Sequence, residues 1–544
     1  MAAYSPLDFY SMQRRQLWLP DTARNMGIHV LAGKGAGKSR MIGRCIAWND
    51  FIRGIPVVIL DPVGPTIDNF LDKVIRLPRE YQKQLGRRIL YVDMSGSCGR
   101  VTPMPLYYRL GTESLYSVSQ RYLDVVRRVD PALQSASVEG FNALWRIGTY
   151  AGMVLAGLGC QITEAEHLLR APQAWLPRVR EAGETHPEVR EAAAFFTEQY
   201  IQWKDEKQVS RTDAFRTKTA LLTIDPAMRA MFGAERSGIE WGRVVEKRQI
   251  VLLDFRHVHD LERRRFLMLW AYMSLLEFIK HRGAGRHRPI SLIVDELAAL
   301  ANFRTSTGSS LFADDLEELI NVYARNCMIW LTLAHQEMYQ FEERIQKTLM
   351  TMGTHIFGVT SDPEAALMVA RQMFFYDPEW IKRRDPMYMS DPEGPYLIDE
   401  RLIEFTAEEQ AILNSAMFRK LQALHFLIRP ASGEGTITGK LTRVSIEHVD
   451  RDIWVDDKLV DQARQLLSQR CGVSIQEQLG AIEKRLQMHP ERAIGRINAY
   501  EDRHNLPIPE DDDDESTLRE EKTPSTEASG QHRATRLSPH LARR

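Results

Sequence analysis

The sequence predicts an α/β chain with a parallel-rich central sheet, interrupted by an all-α insertion and followed by C-terminal helices and a disordered tail. Three observations carry this. From Gly27 to Asp93, short apolar β-leaning runs alternate with stretches of helical spacing, the rhythm of parallel βαβ units. From about Tyr107 to Gly238 that rhythm stops and only helical patterns follow. It returns at Gln249–Asp254 and continues for four more strand-like runs.

Residues 1–26 form a short polar lead. The first part of the α/β domain, 27–106, holds a strand at Gly27–Leu31, a helix over Met41–Ile52 and a strand at Ile55–Leu60. A helix from about Thr66 and a strand at Ile89–Val92 complete it. The insertion, 107–238, is too long for a loop without structure of its own. Within it Thr163 and Glu166 have the spacing of a capping box. The second part, 239–449, has strands at Gln249–Asp254, Ile290–Val294, Met328–Leu333, His355–Val359 and Ala423–Ile428. Residues 450–505 read as amphipathic helices with apolar positions at Val460, Ala463, Leu466 and Leu467. From 506 to 544 charge is clustered and hydrophobicity low, which predicts a disordered, solvated tail.

Composition narrows the class. The chain has 544 residues, 44% hydrophobic and 26% charged, ordinary values for a soluble multidomain protein. Net charge is −1, yet residues 510–544 hold 9 acidic and 6 basic residues and leave the body at +2. That is no basic fingerprint, so any contact with DNA must come from local patches. The five cysteines are scattered with no C-x-x-C pair, which excludes a zinc ribbon and predicts a reducing compartment. Ile147–Cys160, the most lipid-like run, falls short of the ~20 residues a membrane helix needs, so it reads as a buried helix. The expectation is a cytoplasmic protein without direct membrane insertion.

Ala32-Gly33-Lys34-Gly35-Ala36-Gly37-Lys38-Ser39 lies between the first strand and the first helix, the context a phosphate-binding loop requires. Its first glycine is replaced by alanine. Glycines let backbone N–H groups wrap phosphate oxygens, and the helix N-terminus adds partial positive charge. Ala32 to Ser39 and Arg40 are therefore candidates to bind ATP, with Lys38 on the β- and γ-phosphates and Ser39 on Mg²⁺.

The loop needs a carboxylate for the metal and a base for water. Ile290–Val294 is an apolar strand ending in Asp295-Glu296, the form of a Walker B segment. In a parallel sheet both acids emerge on the same edge as the loop. Asp295 is the candidate Mg²⁺ holder and Glu296 the candidate base. Gln336 directly follows the strand ending at Leu333–His335, where its amide can sense a γ-phosphate. Arg325 stands just before that strand and is the candidate charge-neutralising arginine, from the same or a neighbouring subunit. His335 reads as structural.

The order of motifs resembles the HerA–FtsK superfamily of DNA-pumping ATPases, and within it the TraG/TraD-type conjugative coupling ATPases. GKGAGKS (33–39), LIVDE (292–296), YARNCMIWLTLAHQ (323–336) and TMGTHIFGVTSDPEAALMVARQ (351–372) carry the likeness. VVILDPVG (57–64), VTPMPLYY (101–108) and the stretch 221–255 add to it, over roughly residues 20–430. The resemblance implies a RecA-like fold, a homo-hexameric ring and ATP-driven movement of double- or single-stranded DNA. It also implies the nucleotide-site roles of Lys38, Ser39, Asp295, Glu296, Gln336 and Arg325. Val63 departs from the family, which often has lysine there, and the phosphate loop begins too early for the family's membrane helices. Two alternatives stay open: a soluble coupling ATPase that delivers DNA to a type IV secretion channel through a membrane partner, and an ATP-dependent remodelling switch that moves no DNA. A nuclease partner is a further expectation for a DNA-processing motor. Candidate DNA contacts in the insertion are Arg121, Arg127, Arg128, Lys204, Lys207, Arg211, Arg216 and Lys218.

Overall fold

The computed structural model describes residues 19–130, 138–285, 287–301, 311–392, 394–431, 442–446 and 455–487. The expected tail at 506–544 and the expected boundary near 449 lie outside them. Thirteen strands are described: β1 (Ile28–Leu31), β2 (Val57–Asp61), β3 (Ile89–Asp93), β4 (Arg100–Val101), β5 (Ile250–Asp254), β6 (Ile290–Val294), β7 (Ile329–His335), β8 (Thr354–Phe357), β9 (Ile381–Asp391), β10 (Gly394–Glu404), β11 (His425–Arg429), β12 (Thr442–Ser445) and β13 (Val473–Ser474). Nine of them form one sheet in the order β12-β11-β8-β1-β7-β6-β2-β5-β3. From β8 to β3 neighbouring strands are parallel, and β11 and β12 add antiparallel edges. This is the RecA-like P-loop α/β arrangement, with β7 standing between the loop strand β1 and the carboxylate strand β6.

The strands are continuous apolar runs because both faces of the sheet are covered, as parallel sheets require. Alternate residues serve opposite cores. Val58, Leu60, Val251 and Leu253 join one cluster, whereas Val57, Ile59, Ile250 and Leu252 join the other. The first cluster also takes in the insertion, whose helices run from Leu115–Val129 to Pro226–Phe232. Val138–Gly157 contains most of the lipid-like run, and its Ile147, Ala151, Val154 and Leu155 are buried in protein. Among the described residues no helix is long and apolar enough to cross a membrane.

One reading of local structure is corrected, and two features are new. The capping box is formed by Gln161 and Glu164, not Thr163 and Glu166. Glu166 instead pairs with Arg170 and Arg216 on the insertion surface, because the helical turn there begins one residue before Thr163. The ribbon β9–β10 and the small pair β4–β13 had no counterpart in the sequence pattern, since their strands alternate too weakly to stand out.

The C-terminal helices Asp457–Cys471 and Ile475–Gln487 pack back on the body, burying Val460 and Ile482. Arg485 reaches the buried Glu164 and donates to the carbonyl of Gly233 at 2.8 Å, fastening the helix Ile475–Gln487 to the insertion.

A polar thread crosses the middle of the sheet. His29 on β1 contacts His335 on β7 at 2.7 Å and His355 on β8 at 3.1 Å, and all three are buried. A neutral imidazole donates through one nitrogen and accepts through the other, so an uncharged His29 can serve both neighbours, as donor to one and acceptor from the other. Burial drives all three below the usual imidazole range, His335 to about 3 and His355 to about 4. Their folded values lie below the unfolded ones, so their contribution to stability is complete above the ordinary value near 6.5 and is lost as pH falls. Urea unfolding of His355→Gln should therefore show a shallower loss of stability between pH 6 and 5 than the parent. The expected difference is about 1.4 kcal/mol per pH unit, and equal slopes would refute the assignment.

Candidate nucleotide site

The phosphate loop leaves β1 at Leu31 and is tied to its neighbours by the backbone. Ala32 N–H donates to the His335 carbonyl at 3.2 Å, and Gly33 N–H to the Val359 carbonyl at 2.8 Å. Gly35 and Gly37 have φ of 79° and 92°, in the left-handed region that favours glycine. At Gly37 space is also exhausted, since an added Cβ would lie 2.5 Å from the Leu424 side chain. Leu424 itself is left-handed at φ 63°, and its N–H donates to the Ala36 carbonyl at 2.9 Å. It props the loop from the β11 side. Lys34 and Gly35 are exposed at the loop tip, and Arg40 is half-buried on the first turn of the helix.

The alanine in place of the first glycine has a structural compensation. Ala32 is fully buried, and across from it stands Gly358, where an added Cβ would come within 2.7 Å of the Ala32 methyl. The loop carries the methyl, and the glycine that makes room for it stands on the neighbouring segment.

From Lys38 a helix begins, and Lys38 itself is 8% exposed. Its Nζ lies 3.4 Å from Asp295 Oδ1 and 3.4 Å from Glu296 Oε2. Ser39 Oγ donates to Asp295 Oδ2 at 2.8 Å. Gln336 Nε2 donates to Glu296 Oε2 at 2.7 Å. Residues far apart in sequence, Lys38, Ser39, Asp295, Glu296 and Gln336, are thus brought together at the carboxyl edge of β1, β6 and β7. Asp295 Oδ1 and Glu296 Oε1 are buried acceptors with no hydrogen-bond donor. Mg²⁺ is commonly held by one or two carboxylates together with substrate phosphates, and a hydroxyl beside an orphaned carboxylate oxygen fits that chemistry. Among the described residues no cluster of three or more His, Cys, Asp or Glu forms an all-protein cage.

Arg325 does not join this group. It is exposed in the short helix Ala324–Asn326 ahead of β7, at the amino edge of the sheet. Seven residues of strand, roughly 23 Å, separate that edge from Gln336. Arg325 therefore lies away from the nucleotide edge of its own sheet. His335 lies in the interior thread with His29, as its structural reading anticipated.

Three contributors escaped the sequence reading. Asp61 ends β2 and accepts from the N–H groups of Val63, Gly64, Thr66 and Ile67 at 3.1, 2.6, 2.8 and 3.0 Å. Burial, with Asp295 and Asp254 facing it, pushes its carboxyl up to about 7. Thr66 Oγ1 donates to Asp295 Oδ2 at 2.5 Å. Leu424 is the third. A strand ending in acid was visible at Asp61, whereas nothing in the spacing marked Thr66 or Leu424.

Gly358→Ala should destabilise the loop by about 1–3 kcal/mol through overpacking against Ala32. Adding Ala32→Gly should restore most of it, as read by thermal unfolding of the single and double variants. No coupling between the two sites would show that the close approach is not limiting.

No protein-family model matches the chain, and no curated protein matches it. Among solved structures the chain is similar to the bacterial conjugative coupling protein TrwBdeltaN70 in its unbound monoclinic form, with TM-score 0.48 and 16% identity over 81% of this chain and 91% of that one. It is similar to plasmid coupling protein TrwB in complex with ADP and Mg²⁺, with TM-score 0.47 and 15% identity over 81% and 92%. VirB4 of Thermoanaerobacter pseudethanolicus matches with TM-score 0.42 and 12% identity over 77% and 88%.

Proposed function

We propose that this chain is a Mg²⁺-dependent ATPase that moves DNA, working as a homo-hexameric ring of the HerA–FtsK type. The observation that supports it is the convergence of Lys38, Ser39, Asp295, Glu296 and Gln336 at one sheet edge. In this reading the N–H groups of residues 33–39 and the Lys38 ammonium hold the phosphates, and Ser39 with Asp295 holds Mg²⁺. Bound Mg²⁺ supplies Lewis acidity and offsets phosphate charge. Glu296 accepts the proton of the attacking water, and Gln336 fixes the orientation of Glu296 through their 2.7 Å hydrogen bond. Arg325, exposed at the opposite edge, acts on the site of a neighbouring subunit. ATP is the nucleotide and DNA the cargo by virtue of the motif resemblance.

One observation favours a second reading, an ATP-driven protein-remodelling switch that moves no DNA. Four basic residues expected to face DNA are committed internally. Arg121 pairs with Glu113, Arg128 with Asp315, Arg216 with Glu166 and Lys218 with Asp130. Their charge is paired within the chain and not left free for a phosphate backbone. Lys204, Lys207 and Arg211 are exposed on or beside the Asp205–Thr223 helix, with Lys207 over the Trp203 ring.

Lys38→Ala should abolish hydrolysis. Glu296→Gln should lower turnover at least about 100-fold while retaining nucleotide, as read by phosphate release beside fluorescent-nucleotide binding. A fully active Glu296→Gln would remove the base assignment. Adding double- or single-stranded DNA should raise the ATPase rate, and DNA binding should weaken steeply from 50 to 200 mM salt. An ATPase indifferent to both DNAs would select the remodelling switch.

A further inference from the structure

The carboxylate of Asp295 is held from two sides. Ser39 and Thr66 both direct hydroxyls to Oδ2, at 2.8 and 2.5 Å, which leaves Oδ1 without a hydrogen-bond donor and with the Lys38 ammonium 3.4 Å away as its ion-pair partner. Ser39 comes from the phosphate loop. Thr66 comes from an unrelated segment, the first turn of the helix Pro65–Ile75, and is fully buried.

We propose that Thr66 is a positioning residue for the divalent cation, fixing Asp295 so that Oδ1 faces the metal. The inference rests on reading the site as one for a Mg²⁺–nucleotide complex. A hydroxyl donated to a carboxylate favours its charged form and restricts its rotation. Ser39 also does this, but its oxygen is a candidate metal ligand. Thr66 has no such second task.

The surroundings are built to keep Thr66 where it is. Its N–H is one of four that converge on the Asp61 carboxylate. The turn before it needs Gly64 at φ 108°, where an added Cβ would meet the Arg256 guanidinium at 2.3 Å. Arg256 in turn grips Asp254 and Asp68 and donates to the Gly64 carbonyl at 3.0 Å. Arg464, from the helix Asp457–Cys471, holds Asp68 at 2.5 Å from outside. On the inner side Gly43 lets the two helices close up, because a Cβ there would lie 2.5 Å from the Thr66 carbonyl oxygen. A bulkier residue at 43 would push the Thr66 turn away from the phosphate-loop helix.

The test uses the full chain with ADP and Mn²⁺ as the probe, the bound Mn²⁺ being counted by its paramagnetic resonance. Thr66→Val keeps the shape and removes the donor, and Thr66→Ser keeps the donor. Thr66→Val should weaken Mn²⁺ binding about 10–100-fold, the loss typical when a group orienting a metal ligand is removed. Thr66→Ser should stay within about threefold of the parent, and binding of fluorescent ADP in EDTA should be unchanged in both. Thr66→Ala should reproduce the valine result, which covers the case of a valine variant that fails to fold. Equal Mn²⁺ affinity in parent and donorless variants would overturn the proposal, and so would an equal loss in the serine variant. A parent chain that binds ADP but no Mn²⁺ would overturn the reading of the site itself.

Discussion

A buried carboxylate at the carboxyl end of β6 is the constraint around which the edge of this sheet is arranged. Asp295 is 5% exposed, and removing a carboxylate from water is costly unless donors and positive charge replace the solvent. Here the Ser39 and Thr66 hydroxyls and the Lys38 ammonium replace it. Those three groups come from two helices that can reach Asp295 only because β1 and β2 lie on either side of β6 and β7 and point the same way. The same solution recurs next door. Asp61 is taken up by four backbone N–H groups, and Asp254 by Arg256 and the Tyr91 hydroxyl at 3.0 Å. Three parallel strands, β2, β5 and β3, end in aspartate at matching register, so their charges face one another unless each finds its own donors.

Small residues set how closely these parts approach. Gly358 admits the Ala32 methyl, Gly37 admits Leu424, and Gly43 admits the turn that carries Thr66. Each close approach joins a segment near the phosphate loop to one distant in sequence. The loop's shape is therefore a property of the assembled sheet as well as of its own glycines. The C-terminal helices extend that dependence. Arg464 bears on Asp68 beside the Asp61 turn, and Arg485 bears on Glu164 in the insertion. A segment outside the α/β domain thus touches both the wall of the site and the helical layer.

Much of the fold was legible because the strands are buried on both faces and therefore apolar throughout. β1, β2, β3, β5, β6, β7, β8 and β11 all fall where the apolar runs place them. The ribbon β9–β10 was not legible. It is largely exposed, with Met387, Tyr388, Met389 and Leu397 open to solvent, so no burial imprints a pattern on it. Lys38 and Ser39 could be picked out because they close a glycine-rich loop that follows a strand, and Asp295 and Glu296 because they follow a strand directly.

The local sequence determined what depends on neighbours along the chain: the strand-loop-helix at Ala32–Ser39, the paired acids after β6, and the polar amide after β7. The tertiary structure alone decided what depends on strand order and approach. It placed Arg325 at the far edge, because a residue before a parallel strand lies opposite a residue after it. It committed Arg216 and Lys218 to Glu166 and Asp130, partners that helix packing supplies. It brought Thr66 onto Asp295 across 229 positions of sequence, a contact that neither residue's own neighbourhood encodes.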